Sequence, residues 1–278
     1  MAKVRQNMKR FALCKNITLL FFASLVLLPM KAQDAMQVHT DWALTSFTST
    51  HTTDLPKSLV RKFKRDAARL ALRMDAQQED LSYQNILISK DLVENFYQIL
   101  SNIYVNDEMA QSLAKCNIHT FPNPSIDHFK IIFDSNASWA TPLQNGITET
   151  DSPVINDLLD EYDLILENHE KWTDSEDIIV VRSKEPLNIA ALANEFQNIE
   201  GVVEIDLGIP EVGGNDIIIK RQSDGWQVDY VLKFGGTYIP GKGKQHTWSY
   251  KASDDGSIQF ISDTGDAIPS YMKCSAKN

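Results

Sequence analysis

Residues 216–234 read DIIIKRQSDGWQVDYVLKF, and this stretch indicates how the last part of the chain folds. Apolar and polar residues alternate on both sides of Asp224-Gly225, a pair typical of a hairpin turn. A second alternating pair surrounds Asp255-Gly256. The sequence therefore predicts two consecutive hairpins, and we expect residues 211–278 to form an antiparallel β-meander followed by a tail.

The preceding segment, residues 126–210, alternates between strand patterns and helix patterns. The predicted strands cover residues 128–134, 164–172, 177–183 and 202–207, and the predicted helices begin at Ser152-Pro153 and at Leu187. We expect Gly201 to provide the left-handed residue after the second helix. The order strand-helix-strand-strand-helix-strand is that of a ferredoxin-like βαββαβ sandwich, with its helices on one face of a four-stranded sheet.

Residues 54–125 form a helical region in this prediction. Asp54 and Pro56 are typical of a helix start, and helices are also expected at residues 91–101 and 107–115. The first helix has an apolar stripe formed by Val60, Phe63, Ala67, Leu70, Ala71 and Met74. Its other faces carry Arg61, Lys62, Lys64, Arg65, Arg69 and Arg73. Since the rest of the chain is acidic, we expect these cations to dock within the molecule or to be solvated. The fold class predicted for the chain is α+β.

The first 33 residues have the pattern of a secretory signal peptide. A basic leader without acidic residues precedes an apolar run of 14 residues, Ile17 to Met30, and small residues follow. This run is shorter than the roughly 20 apolar residues of a transmembrane helix. We therefore predict export to the periplasm or the extracellular space, no integral membrane span after signal removal, and an extended segment at residues 34–53.

The charge balance limits the partners of the exported chain. Without the six basic residues of the leader, 21 Lys and Arg remain against 37 Asp and Glu, a formal net charge of −16. Nucleic acids are bound through Lys and Arg that neutralise phosphates, so we expect no nucleic acid partner.

Residues 236–242 match the start of a phosphate-binding loop, but Gly243 replaces its metal-binding hydroxyl and a strand pattern follows. We therefore predict no nucleotide cofactor.

Motifs for catalysis or metal binding do not emerge from the sequence. The His residues have no metal-binding spacing, and G-x-S-x-G is absent. The acidic helix around Asp160 and Glu161 is typical of a solvated face, although paired carboxylates also serve glycosidases. We predict no catalytic residue, no metal and no cofactor, and we retain a cryptic secreted hydrolase as one alternative.

The least ordinary residues are His246 and Trp248, two apart and therefore on one face of a predicted strand. With Tyr238 they are candidates for a small binding site, or else Trp248 packs on the sheet and His246 bonds to the loop.

Cys116 and Cys274 either pair as a disulfide in an oxidising compartment or remain thiols.

The chain resembles a family of uncharacterised secreted bacterial proteins over most of the exported part. The resemblance rests on residues 67–73 (AARLALR), residues 118–122 (IHTFP), residues 187–192 (LNIAAL) and the pair His246 and Trp248. The family has two cysteines in the loop before the His, where this chain has Tyr238 and Lys242, so no role of that pair is carried over. The resemblance implies no specific activity.

Residues 126–210, ending in Gly201-Val-Val-Glu-Ile-Asp206, are similar to subtilisin-type propeptides and related small inhibitors. This similarity implies a ferredoxin-like topology and, as an alternative function, a protease-inhibitor or propeptide-like module. Our principal prediction is an exported, non-catalytic protein that binds a protein or a small ligand.

Overall fold

The computed structural model describes residues 55–77, 84–208, 213–236 and 243–272, which all belong to one compact unit, residues 40–278. These residues form six α-helices and two four-stranded antiparallel sheets, which confirms the predicted α+β class. The predicted signal peptide, the predicted extended segment 34–53, Asp54, Tyr238 and Cys274 lie outside the described residues. Cys116 is disulfide-bonded, whereas the prediction of Cys274 as its partner concerns a residue that is not described.

Three helices open the described chain: α1 (Lys57–Gln77), α2 (Lys90–Asn106) and α3 (Glu108–Lys115). The predicted apolar stripe of α1 faces inward, with Phe63 and Leu70 each 2% exposed. Asp107 caps α3, because its carboxylate accepts a hydrogen bond from the backbone N–H of Ala110 at 2.8 Å. The same carboxylate oxygen accepts a hydrogen bond from the hydroxyl of buried Tyr250 at 2.8 Å, so the cap is tied to the C-terminal sheet.

The middle of the chain forms the first sheet, whose strand order is β2-β3-β1-β4 with every neighbouring pair antiparallel. Its strands are β1 (His128–Asp134), β2 (Leu164–Lys171), β3 (Glu176–Ser183) and β4 (Val202–Asp206). Its helices are α4 (Ala140–Gln144), α5 (Pro153–Glu161) and α6 (Ile189–Gln197). The short α4 is absent from the sequence prediction, because five residues are too few for a helical repeat to be recognised.

Gly201 lies between α6 and β4 in the left-handed region, with φ +93°, as the sequence predicts. A Cβ atom added there would lie 2.7 Å from the Cβ of Ala137. Glycine is therefore required both by the backbone conformation and by the close approach of the segment that contains Ala137.

The second sheet contains four consecutive strands, β5 (Asp216–Gln222), β6 (Gly225–Phe234), β7 (Lys244–Ser253) and β8 (Ile258–Gly265). Both Asp-Gly turns connect neighbouring strands, as the alternating pattern predicts. Strand β7 begins at Lys244, where a phosphate-binding loop would require a helix. A single 3₁₀ turn, Ser270–Met272, follows β8.

Two hydrophobic cores divide the described residues. One joins α1, α2 and α3 to the second sheet, and Phe96 of α2 contacts Trp226 of β6 edge to face with ring centroids 5.1 Å apart. The other lies between the first sheet and its own helices and includes Phe129, Phe133 and Phe196. Segments that are distant in sequence therefore share one core, and the middle region lies between them in the chain.

Among the described residues, no helix combines the length and apolarity that a bilayer span needs.

Candidate functional site

Helix α1 carries four arginines at intervals of four residues, and this spacing places them on one face. Their surroundings change along the helix. Arg61 is exposed, the side chain of Arg65 is 45% exposed, and Arg69 is only 7% exposed. Arg73 is held by hydrogen bonds to Asp216 and to backbone carbonyls. The face therefore passes from an open cationic end to a docked end.

The open end lines a groove with a volume of about 710 Å³. We call it the basic groove. The cations that line it are Lys57, Arg61, Lys64 and Arg65 from α1, and Arg182 and Lys184 from the end of β3 and the residue after it. Its acidic residues are Asp127 and Glu185. The groove therefore concentrates positive charge where α1 meets the first sheet, in a chain whose overall charge is negative.

Apolar side chains line the same groove more deeply than the cations do. Ile126 is fully buried, and Val60 and Pro186 are half-buried, whereas the cations on α1 are exposed. Long basic side chains commonly lay their stems along apolar surface and keep their charges in water. The basic groove thus has an apolar bottom and a cationic rim.

Half of the rim cations have carboxylate partners within the described structure. Arg65 contacts Asp127 at 2.6 Å, Arg182 contacts Glu167 at 2.9 Å, and Lys184 contacts Asp163 at 2.5 Å. The remaining rim cations, Lys57, Arg61 and Lys64, form no ion pair with another described residue. Lys64 instead lies 5.8 Å from the centroid of the Tyr97 ring. Three rim cations thus have no carboxylate partner among the described residues.

Asp127 lines the basic groove, and its neighbours favour its ionised form. Burial opposes its ionisation, but hydrogen bonding to His128 and the charge of Arg65 outweigh burial and lower its pKa below the ordinary value. The ionised carboxylate lies 2.8 Å from Nδ1 of His128 and 2.6 Å from the guanidinium of Arg65. Asp127 therefore orients one wall of the groove and neutralises only part of its charge.

Behind this wall lies a second, buried polar cluster. The carboxylate of Asp66 accepts hydrogen bonds from the backbone and the hydroxyl of Thr120 at 2.8 and 2.6 Å, and it lies 2.6 Å from Nδ1 of His119. Burial, and next the charge of Arg65, lower the pKa of the nearby Arg69 guanidinium. Its Nε has no hydrogen-bond acceptor among the described residues. Positive charge thus extends inward behind the rim.

Two of the three predicted binding residues, His246 and Trp248, lie elsewhere, on β7. The rings of His246 and Trp248 are 4.6 Å apart at 51°. Nδ1 of His246 lies 2.8 Å from the backbone oxygen of Asp266, and Nε2 contacts the Asp263 carboxylate. Trp248 is 3% exposed. Both ring nitrogens are engaged and the indole is buried, as in a packed sheet surface. Ligand binding by this pair with Tyr238 stays a prediction.

A third cluster lies at the opposite end of the first sheet. The hydroxyl of Ser135 lies 2.5 Å from Nζ of Lys171, and Lys171 lies 3.6 Å from buried Asp177. A serine nucleophile activated by lysine needs a desolvated amine, but the Lys171 side chain is 54% exposed. Asp177 also accepts a hydrogen bond from Gln144 at 2.7 Å. This arrangement is that of a sheet-end polar network.

The acidic residues behind the hydrolase alternative are exposed. Asp157, Asp160 and Glu161 all lie on the open side of α5, as residues of a solvated helix face do. Within the described residues, no group of His, Cys, Asp or Glu side chains is arranged to hold a metal ion.

No family model, no curated protein and no solved structure matches this chain. The site must therefore be judged from its own residues. The sequence prediction included all the α1 cations of the groove except Lys57. It missed the basic groove because Arg182 and Lys184 belong to a different predicted region. The available signal was the interval of four residues from Lys57 to Arg61 to Arg65, which places three cations on one helix face.

Proposed function

We propose that this chain is an exported, non-catalytic binding protein whose ligand is anionic and occupies the basic groove. The observation that carries this proposal is the presence of six cations around one groove, three of them without a described carboxylate partner. The exported chain as a whole has a predicted net charge of −16, so the basic groove is a local concentration of positive charge in an acidic molecule. Export rests on the leader sequence.

The proposed architecture of the site is a helical N-terminal part packed beside a ferredoxin-like middle. The strand order β2-β3-β1-β4 and the antiparallel pairing support this assignment for the middle region. A ferredoxin-like sheet leaves one face without its own helices. In this chain the N-terminal end of α1 lines the basic groove together with Ile165 of β2 and Arg182 of β3.

Electrostatic contacts alone would bind weakly. Exposed ion pairs contribute about 0.2–1 kcal/mol each, so three to six such pairs correspond to about 0.6–6 kcal/mol and at best to a Kd of tens of micromolar. Burial of apolar ligand groups against the accessible surface of Val60, Ile165 and Pro186 would add about 25 cal/mol per Å². A ligand that combines negative charge with apolar groups is therefore expected to bind more tightly than a purely charged one.

The test is binding of fluorescent polyanions to the exported chain, with polyglutamate, heparin and polyphosphate as probes. We expect binding at low ionic strength to at least one probe, and weakening as salt shortens the Debye length from about 30 Å at 0.01 M to about 8 Å at 0.15 M. Arg61→Glu should weaken it, whereas Lys90→Glu, an equal charge change at an exposed site outside the groove, should have little effect. If no probe binds, or if both variants lose affinity equally, the proposed function is wrong.

A second candidate is the protease-inhibitor or propeptide-like role. It is supported by the strand order of the first sheet and by Val203 on its edge strand β4, which is 49% exposed. Such modules insert a tail that follows their last strand, whereas this chain continues from β4 to β5. Inhibition of a subtilisin-type protease at submicromolar concentration would support this role, and the absence of inhibition across a panel would exclude it.

A further inference from the structure

The spacing of the rim cations restricts the shape of a matching ligand. Lys57, Arg61 and Arg65 follow one another at intervals of four residues on α1, which corresponds to a rise of about 6 Å between successive cations. On the opposite side, Arg182 and Lys184 are two residues apart at the end of β3. At the rise of a strand this separation is about 6.6 Å. Both rims therefore present positive charges at nearly the same interval.

An extended polypeptide has the same interval. Successive side chains of a strand point to opposite sides, so every second side chain lies on one side at a spacing of about 6.6–6.8 Å. Over the three cations of α1 the mismatch accumulates to about 1.5 Å. Flexible Lys and Arg side chains can follow a shift of this size.

The apolar bottom of the groove determines what the other side chains should be. Ile126 is buried, and Val60 and Pro186 are half-buried beside it. If acidic residues occupy every second position and face the rims, the intervening residues point into the groove. Apolar side chains at those positions would bury surface against the half-buried Val60 and Pro186, whereas polar ones would lose hydration without gaining partners.

Other anionic polymers fit less well. None of the groove-lining residues in the described structure is aromatic, although aromatic platforms are what proteins use to stack nucleic acid bases. A sulfated polysaccharide would satisfy the cations but would place hydroxyl groups against the apolar bottom. Glu185 is exposed and forms no ion pair with a described residue, so its carboxylate is available to accept a hydrogen bond from a peptide N–H.

We propose that the basic groove binds an extended acidic segment of another polypeptide, in which acidic and apolar residues alternate. This inference rests on the proposed function, because it names the ligand class of the same site. The cations without a described carboxylate partner, Lys57, Arg61 and Lys64, supply most of the charge complementarity. The interval of about 6–7 Å supplies the register, and the apolar bottom selects the intervening residues.

The experiment compares two synthetic peptides of identical composition on the complete exported chain. One repeats Asp-Val, so that acids alternate with apolar residues, and the other repeats Asp-Asp-Val-Val. Fluorescence anisotropy at low salt should give a Kd at least about tenfold lower for the alternating peptide, which corresponds to about 1.4 kcal/mol. Labelled heparin is measured in parallel as the polysaccharide probe.

Variants assign the binding to the groove. Arg61→Glu should raise the Kd of the alternating peptide at least about tenfold, whereas Lys90→Glu should leave it unchanged. Lys57→Glu serves as a second groove variant, and urea unfolding of each variant verifies that it is folded. At position 61, glutamate would lie four residues from both Lys57 and Arg65 and form favourable helix pairs with them. We therefore expect α1 to stay folded in Arg61→Glu.

The outcomes separate this inference from the proposed function. Equal affinity for the two peptides overturns the alternation. Groove-dependent binding of heparin without binding of either peptide overturns the polypeptide ligand and leaves the anion-binding function standing. If neither peptide, nor heparin, nor any polyanion binds in a manner that Arg61→Glu weakens, both proposals fail.

Discussion

Replacement of Arg73 by Met should strongly destabilise the core that joins α1 to the second sheet. The guanidinium donates hydrogen bonds to Asp216 at 2.9 Å, to the carbonyl of Phe121 at 2.8 Å and to the carbonyl of Asn123 at 3.1 Å. The side chains of Arg73 and Asp216 are 22% and 17% exposed. This single side chain thus connects the helix, the loop before the middle region and the first strand of the second sheet.

The magnitude follows from which groups lose partners. Hydrogen bonds to charged groups contribute about 1.5–3 kcal/mol each, but the contributions of a shared network do not add. Asp216 would keep its hydrogen bonds from the backbone N–H groups of Phe121 and Ile217, at 2.8 and 2.9 Å. We therefore expect Arg73→Met to lower the free energy of unfolding by about 2–4 kcal/mol.

Arg61→Met is the matched control, because it makes the same change on the same helix at an exposed residue. Its effect should stay within about 0.5 kcal/mol. In urea, where the slope for a chain of this size is about 2–3 kcal/mol per M, Arg73→Met should lower the unfolding midpoint by about 1 M. Hydrogen exchange should accelerate in α1 and β5 before it does in the first sheet. Equal midpoints for the two variants would refute the assigned role of Arg73.

Three further predictions concern single residues. Asp107→Ala should cost about 2–3 kcal/mol in urea unfolding, because α3 loses its cap and the buried Tyr250 hydroxyl loses its acceptor; Asp107→Asn should cost clearly less, and equal losses would contradict this. Gly201→Ala should lower the melting temperature more than Gly146→Ala, since both positions have positive φ but only Gly201 meets a neighbouring side chain. Burial alone would raise the pKa of Asp177, but hydrogen bonds from neighbouring side chains outweigh it and lower that pKa. Ionised Asp177 therefore stabilises the fold above about pH 4, and this contribution is lost as the pH falls through its folded-state pKa. The cost of Asp177→Asn should accordingly shrink in acid, and a cost independent of pH would contradict this.

Local chemistry made part of the fold predictable from the sequence. The Asp-Gly turns of the second sheet and the left-handed Gly201 depend on a few neighbouring residues, and each lies where the pattern places it. Strand β7 begins at Lys244, directly after Gly243, where the alternation of the following residues predicts a strand. Cross-strand pairing provides the reason for a strand there, since Phe234 lies opposite Lys244.

The candidate site was less predictable, because it depends on packing between distant segments. Arg61 and Arg182 belong to separate patterns, and no local feature of either indicates that they line one groove. The same holds for His246, whose acceptors Asp263 and Asp266 are provided by the neighbouring strand and the turn beyond it. Sequence patterns identified the charges correctly but did not identify their neighbours.

The placement of the middle region also has a consequence for folding kinetics. Phe121 and Asp216 are hydrogen-bonded although they are 95 residues apart. Contacts between residues so distant in sequence raise the contact order, and a high contact order slows folding. Strands β1 and β4 are neighbours, and Lys130 contacts Asp206 at 3.0 Å, so a folded middle region already holds its own two ends together. Reducing a loop of about 95 residues to about 20 lowers its closure cost by about 1.4 kcal/mol. We expect the middle region to fold first and to bring the two distant parts of the shared core together. Variants that destabilise the first sheet should therefore slow formation of the other core. Pulse-labelled hydrogen exchange that detected protection of the second sheet first would exclude this order.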